Sequence, residues 1–248
     1  MSETKQILRY QQRCFAEYSD DIGLPENYSY IDGNRIRPIV PVATAQGALM
    51  IVGAYPSARF ESRREQTERG RLRLVPIADN LQPFGVEEYF DGTRVRRLTS
   101  GDEIRGHVLD PLDIDANGCW ITDLVKVFLY KSAHLDSCGS VNPNFKPQEL
   151  RSRFFELGRA SLPWLIREIE LCNPRLIVTL GAEVAQVIEN RKSASASELL
   201  KLQIQEPDQL NGVPTLFVPH PEACRRNVKW RRHMENQIDI VSEFMQLR

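Results

Sequence analysis

Four short runs, largely apolar at consecutive positions, constrain this chain more than anything else in it: 48–53, 119–125, 175–180 and 214–219. Each is too short for an ordinary helix. Continuous rather than alternating apolarity is the pattern of strands buried on both faces of a parallel sheet. Each run gives way to turn or polar residues. The first ends in Gly53-Ala-Tyr-Pro-Ser57 and the last in His220-Pro221. In open parallel sheets, sites form just beyond the carboxyl ends of the strands. Two motifs far apart in sequence are therefore expected at one crevice, with His220 its most chemically able side chain.

The intervening segments read as helices and loops. Helices are expected over 3–19, 147–171, 182–189 and 228–246. In the last, Trp230, Met234, Ile238, Val241 and Met245 recur at spacings of three and four, one apolar face of a helix. Lys146-Pro147 supplies a helix start and Asn173-Pro174 a stop. Residues 58–117 show no period and are expected to be irregular. Another loop is expected over 129–146, and an edge strand near Leu200–Ile204 before an Asn211-Gly212 turn. Strands alternating with helices predict an α/β class, a three-layer α/β/α sandwich with a mostly parallel central sheet. The 248 residues are expected to form a single domain with an N-terminal helical extension over 1–46.

A net charge of −1 removes any global basic signature, so nucleic-acid binding has to rest on local clusters. Arg59, Arg63, Arg64, Arg69, Arg71 and Arg73 follow the first motif. Arg225, Arg226, Lys229, Arg231 and Arg232 follow the second. Either cluster alone reads as a solvated surface. Together they flank the predicted crevice, which suits an anion-binding mouth. The five cysteines are scattered without a C-x-x-C pair, and no apolar span reaches membrane length. Free thiols, a cytoplasmic location and no membrane partner are expected. His134 and Cys138 lie four apart but lack a second ligand pair, so no metal site is expected.

These motifs resemble those of the uracil-DNA glycosylase superfamily, in the same order, from about residue 47 to the C-terminus. Gly53-Ala-Tyr-Pro-Ser57 resembles its first motif, a Gly-x-x-Pro loop. His220-Pro221 resembles the start of its second. Ile121-Thr-Asp-Leu-Val-Lys126 is similar to the central strand of the iron–sulfur branch, and Pro174-Arg-Leu-Ile-Val-Thr-Leu-Gly181 to the strand before the second motif. Pro83-Phe84 is similar to the Pro-Phe whose ring stacks on a flipped base. The departures are as informative. Ala54 stands where many members carry a polar or acidic residue. Val127 and Ser161 stand where the iron–sulfur branch has cysteines, so no cluster or other cofactor is expected.

The resemblance implies a DNA glycosylase of base-excision repair, acting on single- or double-stranded DNA with uracil or a related damaged base flipped out. Breaking an N-glycosidic bond builds positive charge on the sugar and negative charge on the departing base. With Ala54 unable to activate water, Asp79 is the expected catalytic acid, Asp91 the second choice, and His220 the donor to the base. Gly53, Ala54, Tyr55, Phe84 and Asp123 are expected to hold the base. Asp123 matches an asparagine that reads the base edge, and an ionised carboxylate there only accepts hydrogen bonds. Ser57, Arg225 and Arg226 are expected at the DNA backbone, and the protein is expected to be a monomer. Two other readings stay open: a DNA- or nucleotide-binding protein that cleaves nothing because of Ala54, and a small-molecule hydrolase in the same crevice.

Overall fold

A computed structural model of the chain describes residues 2–67, 70–85, 88–91, 93–97 and 100–246; Arg69 of the first arginine cluster lies outside the described residues. In chain order the first elements are α1 (Glu3–Asp21), β1 (Leu49–Gly53), β2 (Ala58–Arg64), β3 (Leu72–Asp79), β4 (Glu88–Phe90) and β5 (Val95–Arg97). Next come α2 (Ser100–Ile104), β6 (Cys119–Asp123), α3 (Ser132–Val141), α4 (Phe154–Cys172) and β7 (Leu176–Leu180). The chain closes with α5 (Ala182–Ile188), α6 (Ala196–Leu199), β8 (Thr215–Val218), α7 (Pro221–Arg226) and α8 (Val228–Gln246).

The four apolar runs are β1, β6, β7 and β8. They form one parallel sheet in the order β6-β1-β7-β8. Successive side chains of a strand point to opposite faces, and here both faces are covered. Met50, Val52, Trp120, Ile177 and Phe217 join the buried side chains of α1, α4 and α5. Leu49, Ile51, Ile121, Val178 and Leu216 meet those of α8 and of the segment 104–109. The result is the expected three-layer α/β/α arrangement, and it explains why the strands read as unbroken apolar runs. Along α8, Met234, Ile238 and Val241 are buried at the helical spacing, with Trp230 and Met245 packed beside them. In α1, Tyr10, Cys14 and Tyr18 recur every four residues and enter the main core. All five cysteines are free and buried.

Four local expectations change. Residues 58–117 are not irregular throughout: β2 and β3 form an antiparallel hairpin, β4 and β5 a second one, and α2 follows. The expected loop 129–146 contains α3. The helix predicted from 147 begins at Phe154, after a short 3₁₀ turn at Arg151–Arg153. It ends where Asn173 turns left-handed (φ 46°) ahead of Pro174. No strand forms at Leu200–Ile204; a single antiparallel bridge, Gln205 to Thr215, stands at the edge of β8 instead. No helix among the described residues is long and apolar enough to cross a membrane.

Candidate active site

Because all four strands of the sheet run parallel, their carboxyl ends share one edge. Gly53 and Asp123 are register partners at the ends of β1 and β6. The ladder continues past them, with Leu124 N–H donating to Gly53 O (2.8 Å) and Val125 N–H to Ala54 O (2.9 Å). His220 follows β8 as the N-cap of α7, its side chain fixed where Nδ1 accepts from Glu222 N–H at 3.1 Å. A pocket of about 330 Å³ opens on this edge, within the size range of small-molecule sites. Of the residues expected from sequence, Ala54, Tyr55, Ser57, Phe84, Asp123 and His220 line it.

Gly53 acts through what it lacks. A Cβ there would lie 2.2 Å from Phe84 Cζ and 2.3 Å from Asp123 Oδ1. Both groups close on the bare Cα, so only glycine lets the aromatic wall and the carboxylate share the floor. Phe84 holds a left-handed backbone (φ 53°), unusual for a bulky residue. Its half-buried ring is thereby turned into the pocket.

Asp123 is 1% exposed, and its Oδ2 has no hydrogen-bond partner. Burial, partly opposed by Lys126 and reinforced by Glu168, pushes its carboxyl up to about 7. Lys126 is not its salt-bridge partner. The buried ammonium bonds Glu168 Oε1 (2.7 Å), Thr122 Oγ1 (2.8 Å) and the Asp123 backbone oxygen (3.0 Å), which uses all its donors. Glu168 also accepts from Tyr10 OH (2.5 Å) and Trp120 Nε1 (3.1 Å). Tyr18 OH accepts from Lys126 N–H (2.8 Å) and meets Ser161 Oγ (2.7 Å), which donates to Leu157 O (2.8 Å). This network ties α1 and α4 to the end of β6.

Asp79, expected as the catalytic acid, is not among the residues that line the pocket. It ends β3 opposite Ala58, and its carboxylate turns away from the pocket to accept from Tyr30 OH (2.8 Å) and from Arg37 N–H. Burial raises its pKa, against those hydrogen bonds. The second choice, Asp91, lies on the surface, with Arg96 and the N–H groups of Thr93 and Arg94 lowering its pKa to about 2; it does not line the pocket either. Asn80 lines the pocket, is 6% exposed, and has an unpartnered Oδ1.

Sequence reasoning also missed part of the walls. His134 of α3 packs against the rings of Phe60 and Phe128, at centroid distances of 5.7 and 5.3 Å. Burial pulls its pKa down to about 4. Arg151 donates to Tyr55 OH (3.0 Å), lies over the Tyr55 ring and pairs with Glu183, so Tyr55 is braced rather than free. Both side chains come from elements that share no strand end with the motifs, and nothing in the sequence near them signals the pocket. Among the described residues no group of three His, Cys, Asp or Glu side chains is arranged to hold a metal ion.

His220 is mostly buried, and burial lowers its pKa against the pull of Glu222, Glu183 and Glu103. The ring is therefore neutral near pH 7. With Nδ1 accepting from Glu222, its proton sits on Nε2. The arginines behave differently from the expected open mouth. Arg63 pairs with Asp32 (2.5 Å) and Glu61 (2.7 Å), and Arg73 with Glu65 (2.5 Å). Arg225 and Arg226 are exposed on α7. Arg226 bonds Glu222 at 2.5 Å, and Arg225 lies 3.4 Å from Glu103.

The family model described as Uracil DNA glycosylase superfamily matches residues 41–240 of the chain. That span takes in every strand of the parallel sheet and every pocket residue named above. No curated protein matches the chain.

Proposed function

The chain belongs to the uracil-DNA glycosylase superfamily, and from that premise we propose that it is a DNA glycosylase. It would hydrolyse the N-glycosidic bond of a deaminated or damaged base flipped out of DNA. The observation that carries this reading is the pocket's composition. An aromatic wall, a neutral histidine donor and unpartnered buried acceptors converge at the end of one sheet. Flipped bases are read by stacking and by hydrogen bonds to their edges, which is what such a set offers.

In this reading the base stacks on Phe84. His220 Nε2–H donates to a base oxygen as negative charge develops there, a preorganised donor of the kind that stabilises transition states. Asn80 replaces Asp79 as the group that holds the attacking water, through its free Oδ1. A carboxamide orients water without taking its proton; as the C1′–N bond breaks and the C1′–O bond forms, that proton passes to the departing base, which leaves as an anion. Ala54, buried beside Gly53, contributes only shape. Ser57 lies at the rim, and Arg225 and Arg226 face the DNA backbone.

One observation favours a second reading. Asp79 is turned away, Ala54 is apolar, Glu183 is paired with Arg151 and Glu222 with Arg226, which leaves Asp123 as the only unpaired carboxylate among the described pocket residues. A pocket so poor in bases would hold a nucleotide without cleaving it. Duplex and single-stranded oligonucleotides carrying uracil, hypoxanthine, xanthine and oxidised guanine separate the two. Abasic sites formed under single-turnover conditions support the glycosylase. Tight binding with no abasic product from any lesion supports the binding protein.

A further inference from the structure

We infer that Asp123 selects a base whose buried edge carries two adjacent donors, a ring N–H beside an exocyclic amine as in a 2-amino-6-oxopurine, over uracil. This rests on the pocket being a base site, as proposed above. The unsatisfied polar atoms of the floor are all acceptors: Asp123 Oδ2 and Asn80 Oδ1. Buried acceptors without partners are costly; with Asn80 Oδ1 given to water, a ligand that supplies donors to the Asp123 carboxylate is favoured. The protein cannot supply them itself. Lys126 has spent its donors on Glu168, Thr122 and a backbone oxygen. His220 adds one donor, because Glu222 N–H fixes Nδ1 as the acceptor.

The Asp123 carboxylate thus presents two acceptor oxygens side by side, and His220 one donor. A guanine-type edge presents the complement: N1–H and the 2-amino group as donors, O6 as acceptor. A carboxylate accepts both donors side by side. Uracil offers one donor, N3–H, between two carbonyl oxygens. Against Asp123 it would set a carbonyl beside an unpartnered carboxylate oxygen. The charged and titratable groups that act on Asp123 are Lys126, which follows it in the chain, and Glu168 of α4; Gly53 and Phe84 bring no charge, and His220 is neutral. At pH 8 the carboxyl, pushed to about 7, is ionised and acceptor-only.

The test uses the full chain and hydrolysis-resistant DNA. Duplexes carry 2′-fluoroarabino guanine or 2′-fluoroarabino uracil opposite an abasic site, so neither base has a pairing partner to lose. Fluorescence anisotropy at pH 8 should show the guanine duplex bound about 10-fold or more tightly, in the range of one bidentate base contact. Asp123→Asn should reverse that preference, since an amide offers the donor that uracil requires. Titrating the wild type from pH 8.5 to 6 should erode the guanine preference through pH 7, a readout that needs no variant. Uracil preference in the wild type at pH 8, or an Asp123→Asn ratio equal to the wild type's, overturns the inference. Base release is scored separately on cleavable duplexes. Release without the binding preference sinks this inference and leaves the glycosylase standing; the preference without release does the reverse.

Discussion

Two buried polar clusters sit three residues apart at the end of β6, and they are built on opposite rules. On the scaffold side, Lys126, Glu168, Tyr10, Trp120, Tyr18 and Ser161 form a dry network in which each donor of the ammonium has an acceptor and both carboxylate oxygens have donors. On the pocket side, Asp123 and Asn80 each leave an oxygen unpartnered. Both clusters are desolvated, so burial alone does not separate them. Completeness does. A satisfied network fixes one arrangement of helices around the strand end. An unsatisfied acceptor facing a pocket is a demand that something else must meet. Along β6 the change from one rule to the other falls within a run of four residues, Asp123 to Lys126.

The sharpest way to break the comparison is to leave the scaffold cluster half-built. Lys126→Met strands the Glu168 carboxylate without its cation at zero exposure. A loss of about 3–5 kcal/mol in denaturant unfolding is expected, the usual consequence of orphaning a buried charge. Adding Glu168→Gln should recover much of it, because the amide neutralises the site and still accepts from Tyr10 or Trp120. A loss under about 1 kcal/mol in the single variant would mean the network is not the anchor described.

On the pocket side the expected signature is inverted: large effects on rate, small ones on stability. His220→Ala should lower the single-turnover rate by about 10²-fold, as expected for losing a donor aimed at developing negative charge, with the unfolding midpoint close to wild type. Asn80 and Asp79 sharpen the contrast because they are neighbours. Asn80→Ala should reduce the rate strongly. Asp79→Asn should chiefly destabilise, by about 1 kcal/mol, since its carboxylate serves Tyr30 and Arg37. A severe rate loss in Asp79→Asn with stability intact would return the acid role to Asp79.

That neighbouring pair also shows where sequence reading stops. The sheet and its edge were legible because burial on two faces leaves unbroken apolar runs, and parallel strands put Gly53, Asp123 and His220 on one side without further information. Asp79 and Asn80 were not separable. Successive side chains at a strand end point opposite ways, so choosing between them needs the register of β3 on β2, which pairs Asp79 with Ala58. β2 itself was unreadable, because Ser62 and Arg64 share a face with Ala58 and Phe60 and leave only two apolar positions in alternation. His134 and Arg151 reach the pocket from α3 and the turn before α4, and only the tertiary fold brings them there.

A third measurement asks whether Asp123 is as uncompensated as its geometry implies. Its carboxyl titrates near 7 in the folded chain and at about 4 in an unfolded one. Between those values the folded state holds a proton the unfolded state has released. Stability from this group is therefore present below pH 4 and lost as pH rises through 7. Asp123→Asn removes the titration, so its gain in stability should grow by about 2–3 kcal/mol from pH 5 to pH 8, at about 1.4 kcal/mol per unit of pKa difference. A gain that is flat with pH, or larger at pH 5, would show that the carboxylate has a partner in solution.

The smallest effect is expected at the surface, where the comparison should vanish altogether. Arg225 and Arg226 are neither sealed into a network nor left buried without partners. They are exposed, and each already lies near a carboxylate, Glu103 or Glu222. Pairs of this kind contribute about 0–1 kcal/mol to folding, so reversing both charges to glutamate should leave the unfolding midpoint almost unchanged. The effect should appear only with DNA. If both guanidiniums leave their carboxylates for phosphates, each removes about one unit from the slope of log affinity against log salt, and it does so for every sequence alike. The double variant should bind a uracil duplex and an undamaged duplex more weakly by the same factor, with a slope shallower by about two. The present carboxylate partners make the loss at physiological salt only a few-fold, since part of each charge is already neutralised. An unchanged slope would assign these arginines to Glu103 and Glu222 alone. A loss confined to the damaged duplex would move them from the DNA backbone into the recognition of the base.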